Sequence, residues 1–145
     1  MRKARARYAL TRLALLPSVF VLCLVGACGA RPAQTPHTGT RLVITVYPQG
    51  TSHPGASQYR LACGPARGTV PQATRACRLL GKLRNPFAAV PAGTICSSLA
   101  LGPQEARVTG TVSGHRVNAK LTVRDSCEIE RWRRLRAVVP GFPGR

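Results

Sequence analysis

Four cysteines, Cys63, Cys77, Cys96 and Cys127, constrain this chain more than any other feature. They follow an export leader, and an even number in a small exported domain reads as two disulfides. Three connectivities are open at this level. Sequential pairing would close spans of 14 and 31 residues. Each such bridge contributes about 3 to 4 kcal/mol in the chain-entropy picture. A zinc site is not expected, because no C-x-x-C spacing occurs and the three histidines are scattered.

Residues 1–27 read as a signal peptide. Arg2, Lys3, Arg5, Arg7 and Arg12 form a basic n-region, and the apolar run from Leu13 to Ala27 is too short for a spanning helix. Val25-Gly26-Ala27-Cys28 resembles a bacterial lipobox, which makes Cys28 the expected lipidated N-terminus of a protein held on the outer face of the membrane. Ordinary cleavage near Gly29 or Ala30 would instead release a secreted protein, with Cys28 a small apolar residue of the leader. Residues 28–40, with Pro32, Pro36, Gly39 and several threonines, read as a disordered tether. Residues 41–140 form the expected domain and 141–145 a tail. A domain of this size has a modest core and gains from covalent staples. Beyond the leader, 17 Lys and Arg stand against four acids, a net charge of +13. That excess suits anionic polymers, lipid headgroups or acidic proteins.

Three segments alternate with period two. Leu42, Ile44 and Val46 share one face, with Val43, Thr45 and Tyr47 on the other. Ala106, Val108, Gly110 and Val112 alternate with Arg107, Thr109 and Thr111. Val117, Ala119, Leu121 and Val123 alternate with Arg116, Asn118, Lys120, Thr122 and Arg124. The last two runs flank Ser113-Gly114-His115, a hairpin signal, and residues 57–63 are a further strand. Such faces suit an antiparallel sheet buried on one side. Two helices are expected. One opens at Pro71, buries Ala73, Ala76, Cys77 and Leu80, and stops at Gly81. The other is capped by Asp125 with Glu128 three positions on, as in a capping box, and carries Ile129, Trp132 and Leu135 on one face. Its acids lie early and Arg131, Arg133, Arg134 and Arg136 late, which complements the helix dipole. Trp132 is expected in the core.

Between these elements lies Cys96-Ser97-Ser98-Leu99-Ala100-Leu101-Gly102-Pro103-Gln104, a short apolar loop headed by a cysteine and closed by Gly-Pro. A loop held at both ends and exposing a Ser98–Leu99 bond is what a protease inhibitor needs in order to pose as a substrate. The same features also describe a disulfide-tied surface connection without function.

With these pieces in order, the chain resembles the bacterial subtilisin-inhibitor-like family from about Leu42 to Leu135. The resemblance rests on Cys96-x-x-Leu99, Gly102-Pro103-Gln104, Val108-Thr109-Gly110-Thr111, Gly114-x-Arg116-Val117-Asn118-Ala119 and Cys127-Glu128-Ile129-x-Arg131-Trp132. It implies an α+β fold with an antiparallel sheet of about five strands and two helices on one face. It further implies bridges Cys63–Cys77 and Cys96–Cys127, and a homodimer formed through the sheets. By that alignment the reactive-site loop comprises Ser97, Ser98, Leu99 and Ala100, with Ser98 the specificity residue and Ser98–Leu99 the reactive bond. Members commonly carry Met or Lys where Ser98 stands and Tyr where Ala100 stands.

Enzymatic function is not expected. The only acids beyond the leader are Glu105, Asp125, Glu128 and Glu130, and the last two, two apart on a helix, do not face each other. His37, His53 and His115 have no evident nucleophile partner, and nothing calls for a cofactor or metal. Two classes of function remain. One is an inhibitor of extracellular subtilisin-like or trypsin-like serine proteases. The other is a non-inhibitory envelope lipoprotein that presents the basic surface to anionic polymers or proteins. Specific nucleic-acid binding is not expected, since aromatic residues are not interleaved with the basic ones.

Overall fold

The computed structural model describes residues 39–143; the leader, Cys28 and most of the expected tether lie outside them. Five strands form one antiparallel sheet: β1 (Thr40–Tyr47), β2 (Ser57–Cys63), β3 (Arg67–Gly68), β4 (Glu105–Val112) and β5 (His115–Thr122), in the spatial order β3-β2-β1-β4-β5. β1 is therefore the central strand, with Ile44 paired to Tyr59 on one side and Val108 on the other. The inner face carries Leu42, Ile44, Val46, Leu61, Ala106, Val108, Ala119 and Leu121, all buried. Helices α1 (Ala73–Lys82) and α2 (Ser126–Leu135) cover that face with Ala76, Leu80, Trp132 and Leu135. Among the described residues no helix is long and apolar enough to cross a membrane. Both sequential disulfides are present.

Local details depart from the expected pattern at four places. Val112 pairs with His115, so the hairpin turn is Ser113-Gly114 alone and His115 opens β5. Both turn residues have positive φ, 49° and 82°, as the right-handed twist of a two-residue hairpin requires. Gly110 follows the inward parity of its strand, yet it is exposed. A Cβ there would lie 2.1 Å from the Arg41 carbonyl oxygen, so its place is set by close approach of β1. α1 begins at Ala73, after Pro71, and runs through Gly81. Gly81 stays out of the left-handed region a C-cap needs, and the turn ends with the Leu83 amide donating to the Leu80 carbonyl while Leu83 packs on the core. The capping box is half made. Asp125 accepts from the Glu128 amide at 2.9 Å, but the Glu128 carboxylate accepts from Arg131 instead of reaching back.

That diversion has a cause. Arg131 is buried and donates to the carbonyls of Lys120 and Phe87, at 2.8 and 3.1 Å. A buried guanidinium needs a countercharge, and Glu128 is one turn away. Trp132, fully buried, donates its indole N–H to the Val139 carbonyl and meets the ring of Phe142 edge-on. Phe142, expected in the tail, thus packs against the core, and Thr40, expected in the tether, is the first residue of β1.

Candidate functional site

The loop between α1 and β4 leaves the body of the domain at Pro91 and returns at Glu105. Residues 91–101 are exposed apart from Cys96, and the loop displays Ile95 (98% exposed), Leu99 (57%) and Leu101 (44%), the exposed large hydrophobic residues among those described. Exposed aliphatics cost solvation free energy, so three on one loop mark a surface that gains by being covered.

Three attachments hold the exposed stretch. Cys96 is bonded to Cys127 in the first turn of α2. Ser97 and Ser126 bond reciprocally: the Ser97 amide donates to Ser126 Oγ at 3.0 Å, and the Ser126 amide donates to the Ser97 carbonyl at 3.1 Å. Beyond the apex, the Leu101 amide donates to the Val123 carbonyl at 2.9 Å. Ser98, Leu99 and Ala100 therefore span the gap between fixed points at Ser97 and Leu101, with all three side chains exposed. Entry is shaped by a turn in which the Thr94 hydroxyl donates to the Pro91 carbonyl at 2.8 Å.

The exit is held just as firmly. Gly102 has φ 150°, and a Cβ on it would come 2.3 Å from Gln104 Oε1. Glycine there lets Gln104 fold back against the loop. The Pro103 carbonyl lies so near Gly50 that a Cβ on Gly50 would stand 3.1 Å from it. Two residues on, Glu105 is 2% exposed although it belongs to the sheet's outer, polar face. Its carboxylate accepts from Thr51 Oγ1 at 3.2 Å and pairs with Lys120 Nζ at 3.0 Å and Arg124 Nη2 at 2.8 Å. Burial alone would raise its pKa. The Lys120 bond and charge, with Thr51 and Arg124, outweigh that and hold it below the ordinary carboxylate value. The carboxylate thus pins the turn after β1, the start of β4 and the end of β5 at the foot of the loop.

Ser97, Ser98, Leu99, Ala100 and the Cys96–Cys127 bridge fall together at the apex, while Cys63–Cys77 ties β2 to α1 away from it. Sequence reasoning missed Ile95, Ser126 and the Thr51–Glu105 brace. Only Ser126 left a trace, as a hydroxyl beside the helix cap. Asp125 lies near Cys96 and Cys127, but both sulfurs are spent in the disulfide and Asp125 caps α2, so this group offers no ready metal ligands.

The family described as subtilisin inhibitor-like matches residues 38–124. Among solved structures, the chain is similar to Streptomyces caespitosus sermetstatin, crystallised in complex with Bacillus licheniformis subtilisin. The identity is 26%, the match covers 73% of this chain and 99% of that one, and the TM-score is 0.43. None of the curated proteins matches.

Proposed function

This chain belongs to the subtilisin inhibitor-like family, and we propose that it inhibits subtilisin-like serine proteases by presenting Ser98–Leu99 as a substrate-like bond. One observation carries the reading: Ser98, Leu99 and Ala100 are exposed between anchors at Ser97 and Leu101. An extended segment of this kind enters a protease cleft by strand addition, backbone to backbone. Because the anchors order it beforehand, the entropy that weakens a flexible substrate is not lost on binding. Contacts of ordinary protease–inhibitor size then suffice for tight association. No group on this protein performs chemistry. If the protease cleaves the bond, the disulfide and the Ser97–Ser126 pair keep Ser98 in place, and the Leu101 bond keeps the new Leu99 amine beside it, which favours religation.

In the same proposal, the leader exports the protein and Cys28 anchors it by lipid outside the cell, where extracellular proteases act. Two copies associate through the outer sheet face, where Val43 lies between Arg60 and Thr109 and Thr45 between Gln58 and Arg107.

Substitution at Ser98 tests the reading, since an exposed apex residue affects specificity and hardly affects folding. Ser98→Met gains apolar burial in a subtilisin-type pocket, about 1.5 to 3 kcal/mol or one to two decades in Ki. Ser98→Lys creates inhibition of trypsin-like enzymes. Progress curves against both protease classes supply the measurement. Folded wild type, Ser98→Met and Ser98→Lys proteins that all leave every protease fully active would reject it.

A further inference from the structure

Toward the end of α2 opposite the Cys96–Cys127 bridge, α1 and α2 face each other across a groove of about 620 Å3. Arg75, Arg78 and Lys82 line it from α1, spaced i, i+3, i+7 on one stripe, and Arg133, Arg134 and Arg136 line it from the end of α2. All six are exposed. Against them stands one carboxylate, Glu130, which pairs with Arg133 and Arg134. The other three acids of the exported chain are engaged elsewhere: Glu105 with Lys120 and Arg124, Asp125 as a helix cap, Glu128 with Arg131. Arg75, Arg78, Lys82 and Arg136 have no carboxylate partner among the described residues.

This arrangement costs the free protein stability. Arg75 with Arg78, and Arg78 with Lys82, are like charges one helical turn apart, each pair unfavourable by a few tenths of a kcal/mol. The charge also exceeds what the dipole of α2 rewards, since half of it sits on α1. A line of anions along the groove would relieve both repulsions at once. Five of the six cations are arginines, whose planar fork binds phosphate oxygens two at a time. No aromatic ring lines the groove, so nucleobases find nothing to stack on. Its floor is Leu79, Ala137 and the aliphatic stems of the cations themselves.

We propose that the groove between α1 and α2 binds a linear, base-free phosphodiester polymer of the polyglycerol-phosphate type. The site is independent of inhibition. Arg133, the groove residue on α2 nearest the bridge, lies six residues from Cys127, about 9 Å at the helical rise, and no groove residue belongs to the loop. This assignment stands whether or not the loop inhibits.

Fluorescence anisotropy of labelled polyglycerol phosphate, titrated with the full chain at 50 to 300 mM salt, tests it. The triple variant Arg78→Gln/Lys82→Gln/Arg136→Gln is expected to bind at least tenfold more weakly at the lowest salt. Its log–log salt slope should be shallower by about 2, as three lost phosphate contacts require. A control with equal net charge, Arg67→Glu/Arg84→Gln at exposed residues outside the groove, should bind within threefold of wild type. Equal losses in the two variants would show that binding follows net charge and overturn the site. Oligo(dT) of matched charge should bind no more tightly than polyglycerol phosphate. A tenfold preference for the oligonucleotide would overturn the choice of polymer, and no binding to either at 50 mM salt would overturn the proposal entirely.

Discussion

Replacing Glu105 by glutamine should weaken the foot of the loop in a way that depends on pH with a defined sign. Glutamine keeps the shape and the Thr51 bond but removes the charge that Lys120 and Arg124 address. Those cations are themselves 54% and 66% exposed and re-solvate when the partner is lost, so the penalty of a stranded buried charge does not arise. Each pair is thus worth a surface-like 0.5 to 1 kcal/mol, and Glu105→Gln should cost about 1 to 2 kcal/mol. For a domain of this size that is a fall in Tm of about 5 to 15 °C. Because the folded-state pKa of Glu105 is depressed, its contribution is fully present above the ordinary carboxylate pKa and is lost as pH falls through the folded value. Urea denaturation followed by the fluorescence of Trp132, the single tryptophan, measures this. The gap between wild type and Glu105→Gln should be full at pH 7 and smaller at pH 2.5, because protonation, which makes the acid resemble the amide, removes the contribution as pH falls below the ordinary carboxylate value. An equal gap at both pH values, or none at pH 7, would refute the ion-pair account.

Three further outcomes follow from the anchors and the sheet. Cys96→Ser/Cys127→Ser should lose roughly 3.5 to 4 kcal/mol of stability from reopening a 31-residue span; incubation with subtilisin should turn the variant from inhibitor into substrate, visible as cleavage at Ser98–Leu99 by mass spectrometry. Ser126→Ala removes the acceptor for the Ser97 amide while leaving the disulfide, so Ki should rise about tenfold, the equivalent of one hydrogen bond, with a Tm change of only a few degrees. Light scattering should find the dimer favoured by high salt, since Arg60, Arg107, Arg116 and Lys120 repel across the outer sheet faces; a monomer at every salt concentration would reject sheet-to-sheet association.

Much of this molecule was readable from local pattern. Period-two alternation marked β1, β4 and β5 because one face of each is buried and the other is not. Asp125 marked the start of α2 because a side chain must take up the amides that open a helix. The loop was legible for a related reason: a cysteine, a run of small and apolar residues and Gly-Pro describe a tied segment without reference to anything distant. The helix limits were less legible. Whether Gly81 ends α1 depends on where Leu83 packs, and whether Glu128 closes a capping box depends on Arg131, whose partners Phe87 and Lys120 lie on other elements.

Local chemistry along the chain was enough to mark β1, β4, β5, the start of α2 and a loop headed by Cys96, since each follows from residues a few positions apart; the cysteine pairing came with the family resemblance, because three connectivities fit four cysteines. Tertiary structure decided the rest. Glu105 reads as an outward strand residue until the turn carrying Thr51 folds over it and two cations, Lys120 of β5 and Arg124 just beyond it, reach it. Ser126 holds the loop only because α2 begins beside Ser97, 29 positions earlier. The six cations of the groove belong to helices separated by a loop and two strands, and they form a single field only when both helices lie on one face of the sheet. Charge acts through space, over distances set by packing, and the order of residues along the chain does not contain those distances.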